Sequence, residues 1–114
     1  MEINLKKLQE IQVIELIGDV DASTAPQVQH EILPLAQPNS KLLLDMSQVP
    51  YMSSAGLRVL LSLYRQATAK DGKLVLVGLS EDLQDTMSVT GFLDFFATGE
   101  TLEAGLAQLK ETVA

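Results

Sequence analysis

At 114 residues the chain has the length of one compact domain (1–114), and its 46% hydrophobic content supplies a core and argues against disorder. The absence of cysteine excludes a disulfide scaffold, a zinc–thiolate centre and a thiol nucleophile together. A net charge of −7, with only eight Lys and Arg, disfavours direct contact with nucleic acid and suits a basic or mixed-charge protein partner better.

A domain of this size buries roughly 65% of its unfolded surface, so neither a disulfide nor a metal is needed to hold it. The opening residues, Met1 to Lys7, lack the apolar core and small-residue cleavage site of a signal peptide. No apolar run approaches the ~20 residues of a membrane span. The expectation is a soluble, cytoplasmic protein without membrane insertion.

In chain order, 2–6 alternates polar and apolar residues, with Ile3 and Leu5 on one face, as in a half-exposed edge strand. Segment 11–17 carries Ile11, Val13, Ile14, Leu16 and Ile17, too apolar for a strand with an open face. The short connection 7–10 pairs the two as a hairpin. Gly18-Asp19-Val20-Asp21 then leads to Thr24 and Gln27 at capping-box spacing, with Pro26 in the first turn of a helix. Ala25, Val28, Ile32 and Leu35 lie on one face of that helix, and Pro34 ends or kinks it.

Segment 41–45, with Leu42, Leu43 and Leu44, is too short for a helix between Pro38 and Pro50 and reads as a buried central strand. After a loop over 46–53, a helix runs over about 54–70. Leu57, Leu60, Leu61 and Tyr64 form its apolar stripe, with Arg58, Ser62 and Arg65 off it. Asp71-Gly72 closes the helix, and 73–77 is another buried strand. Ser80 caps a third helix with Glu81 and Asp82 in its first turn, and Gly91 ends it. Segment 92–97 reads as a last short strand, packed by Phe92, Phe95 and Phe96. A C-terminal helix follows, with Leu102, Leu106, Leu109 and Val113 on one face. Gly105 costs that helix about 1 kcal/mol relative to alanine, so it must rely on packing. This order predicts an α/β fold: a mostly parallel sheet of four to five strands, an N-terminal antiparallel strand and about four helices.

The stretch 42–60 carries the chemistry. A buried strand ends, a loop crosses its carboxyl end, and a helix opens with Ser53, Ser54, Ala55 and Gly56. The unpaired N–H groups of a first turn favour an anion, and a serine phosphate brings about −1.5 to −2 charges. The plainer reading stands beside this one: serine before a helix is ordinarily an N-cap worth ~1 kcal/mol. Asp19, Asp21 and Asp45 could gather at the strand ends, but capping and loop hydrogen bonding account for Asp21 and Asp45 without a metal. His30 is the only histidine, which leaves Ser54 without a base, and no phosphate-binding or dinucleotide loop is present. Nothing calls for a cofactor or an enzymatic role.

Asp45-Met46-Ser47, followed by Tyr51-Met52-Ser53-Ser54-Ala55-Gly56-Leu57, resembles the signature of STAS domains of the anti-sigma factor antagonist type. Gly18-Asp19-Val20-Asp21 with Ser23-Thr24 is similar to that family's upstream segment, and the element order agrees over essentially the whole chain. The resemblance implies a bacterial partner-switching protein that regulates transcription indirectly. Its unmodified form binds an anti-sigma factor that is also a serine kinase, phosphorylation releases it, and a serine phosphatase resets it. By the same resemblance Ser54 is the phosphoacceptor, with Ser53 second, since Ser53 stands where aspartate is common. Asp21, Thr24, Ser53, Ala55, Gly56 and Arg58 are the implied partner-binding positions, and the chain is expected as a monomer or weak dimer. A scaffold or transporter-associated STAS subunit and a small-ligand sensor are the alternatives.

Overall fold

The computed structural model describes residues 1–111; Val113, expected on the last helix's apolar face, lies outside them. Strands β1 (Glu2–Leu8) and β2 (Ile11–Ile17) form the expected hairpin, with Leu8 opposite Ile11. The turn is only Gln9 and Glu10. Gln9 supplies the positive φ of 56° that glycine or asparagine would normally supply, so the turn lacked its usual sequence marker.

Helix α1 (Ala25–Ile32) buries Ala25, Val28 and Ile32, and passes at Pro34 into a 3₁₀ turn, Leu33–Leu35. Strand β3 (Lys41–Gln48) extends three residues beyond the expected end at Asp45, because Met46 continues the inward alternation and is fully buried. Helix α2 (Ser54–Ala69) buries Gly56, Leu57, Val59, Leu60, Leu63 and Ala67. Its inward face is therefore rotated from the expected stripe, leaving Leu61 and Tyr64 half-buried on the flank. Asp71, not Gly72, takes the left-handed φ (60°) beyond α2.

Strand β4 (Lys73–Val77) is buried from Leu74 onward. Helix α3 (Glu81–Val89) is capped by Ser80, whose hydroxyl accepts from Leu83 N, and Gly91 follows it with φ 80°. The strand expected over 92–97 is corrected. Phe92–Phe95 is a 3₁₀ turn, and β5 is Ala97–Gly99. The aromatic residues favoured a strand, but after the reversal at Gly91 the backbone winds tightly, placing Phe95 and Phe96 against Tyr64 at 5.9 and 5.5 Å between centroids. Helix α4 (Leu102–Glu111) ends the described chain.

The sheet order is β1-β2-β3-β4-β5, antiparallel between β1 and β2 and parallel elsewhere. Sequential parallel strands joined by right-handed crossovers place α1, α2 and α3 on the same face. Ile14, Leu16, Leu42, Leu44, Met46 and Leu76 meet those helices, whereas Ile11, Val13, Leu43, Val75 and Val77 meet α4 through Leu109. Alternate residues of each central strand thus serve opposite cores, which is why these strands are apolar on both faces. A Cβ on Gly105 would lie 2.5 Å from Val77 Cγ1 and 2.8 Å from Leu43 Cδ1, so the glycine lets α4 sit down on the sheet.

Candidate functional site

Two loops meet where β2 and β3 end. Gly18 N donates to Gln48 O (3.0 Å), Val20 N to Tyr51 O (3.0 Å), and Ser53 N to Val20 O (2.9 Å). Val20 and Met52 form a parallel bridge beyond the named strands. The ladder therefore carries the two loops to the start of α2 as one surface.

Ser53 is the N-cap of α2. Its backbone is extended (φ −83°, ψ 177°), and its Oγ accepts from Gly56 N at 3.4 Å. Ser54 begins the helix itself and is exposed, and its hydroxyl has no hydrogen-bond partner among the described residues. The two hydroxyls are thus distinguished by geometry: one is bound to the helix start, the other faces solvent.

Gly56 is buried, and its role lies beneath the surface. A Cβ there would stand 2.5 Å from Val20 O and 2.6 Å from Met52 Cγ, closer than atoms tolerate. Without a side chain at this point α2 can press against the loop that follows β2. Ala55 is half-buried and Arg58 exposed, and both line a groove between α1 and α2 with Ala22, Ala25 and Pro26. On the other flank a shallow depression of about 370 Å³ is lined by Pro50, Tyr51, Ser54, Asp82, Thr86 and other residues. Tyr51 is 55% exposed there, an apolar surface residue that spacing alone did not single out.

Asp21 and Thr24 hold the first loop. The Asp21 carboxylate accepts from Ser23 Oγ (2.7 Å), Ser23 N (2.9 Å) and Thr24 N (3.2 Å). The Ser23 hydroxyl first, then the Ser23 N–H, hold its carboxyl below the usual 3.8; desolvation opposes them, and the Thr24 groups add less. Thr24 Oγ1 accepts from Asp21 N (2.9 Å) and donates to Asp19 O (2.8 Å). The expected capping box of Thr24 and Gln27 does not form, because the threonine hydroxyl turns back into the loop; Thr24 makes no side-chain cap bond to α1.

Asp45 accepts from Ser47 N (3.0 Å) and Ser47 Oγ (2.7 Å). Among the described residues no group of three or more His, Cys, Asp or Glu is arranged to hold a metal ion. His30 is exposed on α1, on the face away from its buried residues. No helix among the described residues is long and apolar enough to cross a membrane. The arrangement presents the uncommitted Ser54 hydroxyl at the start of α2, between the groove lined by Arg58 and the depression lined by Asp82.

The STAS domain family matches residues 2–105. BtrV of Bordetella bronchiseptica, which bears the name of an anti-sigma factor antagonist, is 30% identical over 111 residues, covering 96% of each chain. The anti-sigma-B factor antagonist of Bacillus subtilis is 26% identical over 106 residues, covering 93% of this chain and 97% of that one. The fold is shared with the Bacillus cell fate determinant SpoIIAA in its phosphorylated form, at a TM-score of 0.72 and 19% identity over 95% of this chain and 99% of that one. The chain therefore belongs to the STAS domain family, among the anti-sigma factor antagonists.

Proposed function

We propose that this chain is a phosphorylation-switched anti-sigma factor antagonist, a binding module rather than an enzyme, acting in the cytoplasm. Its unmodified form docks on an anti-sigma factor that is also a serine kinase. Transfer of a phosphoryl group to Ser54 ends the complex, and a serine phosphatase restores the free hydroxyl. The observation that carries this reading is the contrast between Ser53, committed to Gly56 N, and Ser54, exposed and uncommitted. The relatives' names and the phosphorylated structural neighbour support it.

The physical basis is charge. A phosphate adds about −1.5 to −2 charges and three acceptor oxygens to a surface that otherwise meets the partner with a neutral hydroxyl. Burying that charge against a surface shaped for serine costs several kcal/mol, while the fold beneath has no contact to lose. Asp21 and Thr24 set the first loop, and Ser53 and Gly56 hold α2 against it. Ala55, Arg58 and the loop surface are then what the partner touches.

Incubation with the cognate kinase and ATP, followed by phosphosite mapping, is the direct test. Phosphate is expected on Ser54 and absent from Ser54→Ala. An unmodified Ser54 would refute the site, as would undiminished labelling of Ser54→Ala. Ser54→Asp is expected to keep its fold and to bind the partner at least about tenfold more weakly by calorimetry. Equal affinity of the two forms would contradict the charge mechanism.

A further inference from the structure

The two flanks of Ser54 carry opposite charge. From α3, Asp82 lines the depression that Ser54 itself borders. On the α1 side Arg58 lines the groove, and that groove's other lining side chains carry no charge. Arg58 is exposed and, among the described residues, makes no ion pair or hydrogen bond.

Ser54 and Arg58 are four residues apart on α2, where helical side chains are neighbours. The order also matters, since an anionic group N-terminal to the cation is the better arrangement at this spacing. Helix α2 contains no acidic residue, whereas α3 carries Glu81 and Asp82 in its first turn and α4 carries Glu103. In a chain of net charge −7, the helix face that runs on from Ser54 is thus cationic, with Arg58 and Arg65 and nothing on α2 to neutralise them.

We propose that Arg58 is the internal counter-ion of phosphorylated Ser54. This rests on Ser54 as the modified residue and adds what the molecule does with the phosphate. The guanidinium offers a planar fork of N–H donors to two phosphate oxygens, while Asp82 repels the phosphate from the opposite flank. Both forces draw the phosphoryl group over Ala55 toward α1. Arg58 then favours the dianionic form, holding the second ionisation of the phosphate below its ordinary value. It also gives the modified state a defined geometry for the phosphatase to meet.

The test needs no kinase. Phosphoserine is placed at position 54 of the full chain during translation, and the phosphorus resonance is followed against pH in wild type, Arg58→Ala and Arg58→Lys. Relative to Arg58→Ala, the wild-type midpoint is expected to lie about 0.3–1 unit lower, with Arg58→Lys between them and the gap shrinking in high salt. Superimposable curves for wild type and Arg58→Ala, or a lower midpoint in the variant, would overturn the proposal. Because the phosphate is installed during translation and not by a kinase, that result is separable from a failure of kinase labelling at Ser54.

Discussion

Replacing Ser53 by alanine removes the acceptor for Gly56 N and leaves the start of α2 without its side-chain cap. The bond is long at 3.4 Å, so the expected loss is about 0.5–1 kcal/mol, at the lower end for an N-cap. Ser53→Asp keeps an acceptor and adds a charge that the helix start favours, so it should equal or exceed wild type; urea midpoints of the three proteins check this. Asp21 makes a second prediction. Its folded pKa is lowered from 3.8, so its contribution to stability is full above that value and lost as pH falls through the depressed one. The difference in urea midpoint between wild type and Asp21→Asn should therefore be constant from pH 6 to 8 and shrink below about pH 4. A difference that stayed constant into acid would show that the carboxylate's charge is not what holds Ser23 and Thr24. That a serine at this helix start would serve as a cap could be read in the residues. Which serine was the cap could not, because two adjacent hydroxyls are distinguished only by the backbone angles at which the helix begins.

At the scale of elements, both inward glycines on helices test close packing against helix propensity. Alanine at Gly56 or Gly105 improves propensity by about 1 kcal/mol but brings a Cβ within 2.5 Å of Val20 O or Val77 Cγ1. We expect overpacking to win at both, with a net loss of about 1–3 kcal/mol in denaturant titrations; a gain in stability at either would mean that the helix can shift outward freely. The order of elements was legible because each central strand is a mostly apolar run between turn residues. The N-terminal hairpin was legible from the alternation over 2–6 and the short connection to the next strand. Less legible was anything decided by a neighbour. The rotation of α2 depends on Gly56 and Ala67 facing the core, and small residues barely register in a hydrophobic stripe. Strand β5 is held by pairing of Val75 with Ala97 and Val77 with Gly99, not by its own composition, so the aromatic run before it drew the strand assignment instead.

For the whole molecule, stability should grade from the centre of the sheet outward. Strand β3 is bonded on both edges and feeds both cores, whereas β1 and the three-residue β5 are edge strands. Native-state hydrogen exchange should find the slowest strand amides in β3 and its flanking partners and the fastest in β5; comparable protection in β5 would contradict this gradient. The bonded loops beyond β2 and β3 have a consequence for association. Since Val20 and Ser53 are already joined through the backbone, a docking partner meets a surface that has been ordered by folding. Little loop entropy is surrendered when the complex forms, so no disorder-to-order step dilutes an added repulsion. Each 1.4 kcal/mol of it then appears as about a tenfold change in the dissociation constant, so in the proposed switch one small covalent mark would be enough to decide between bound and free.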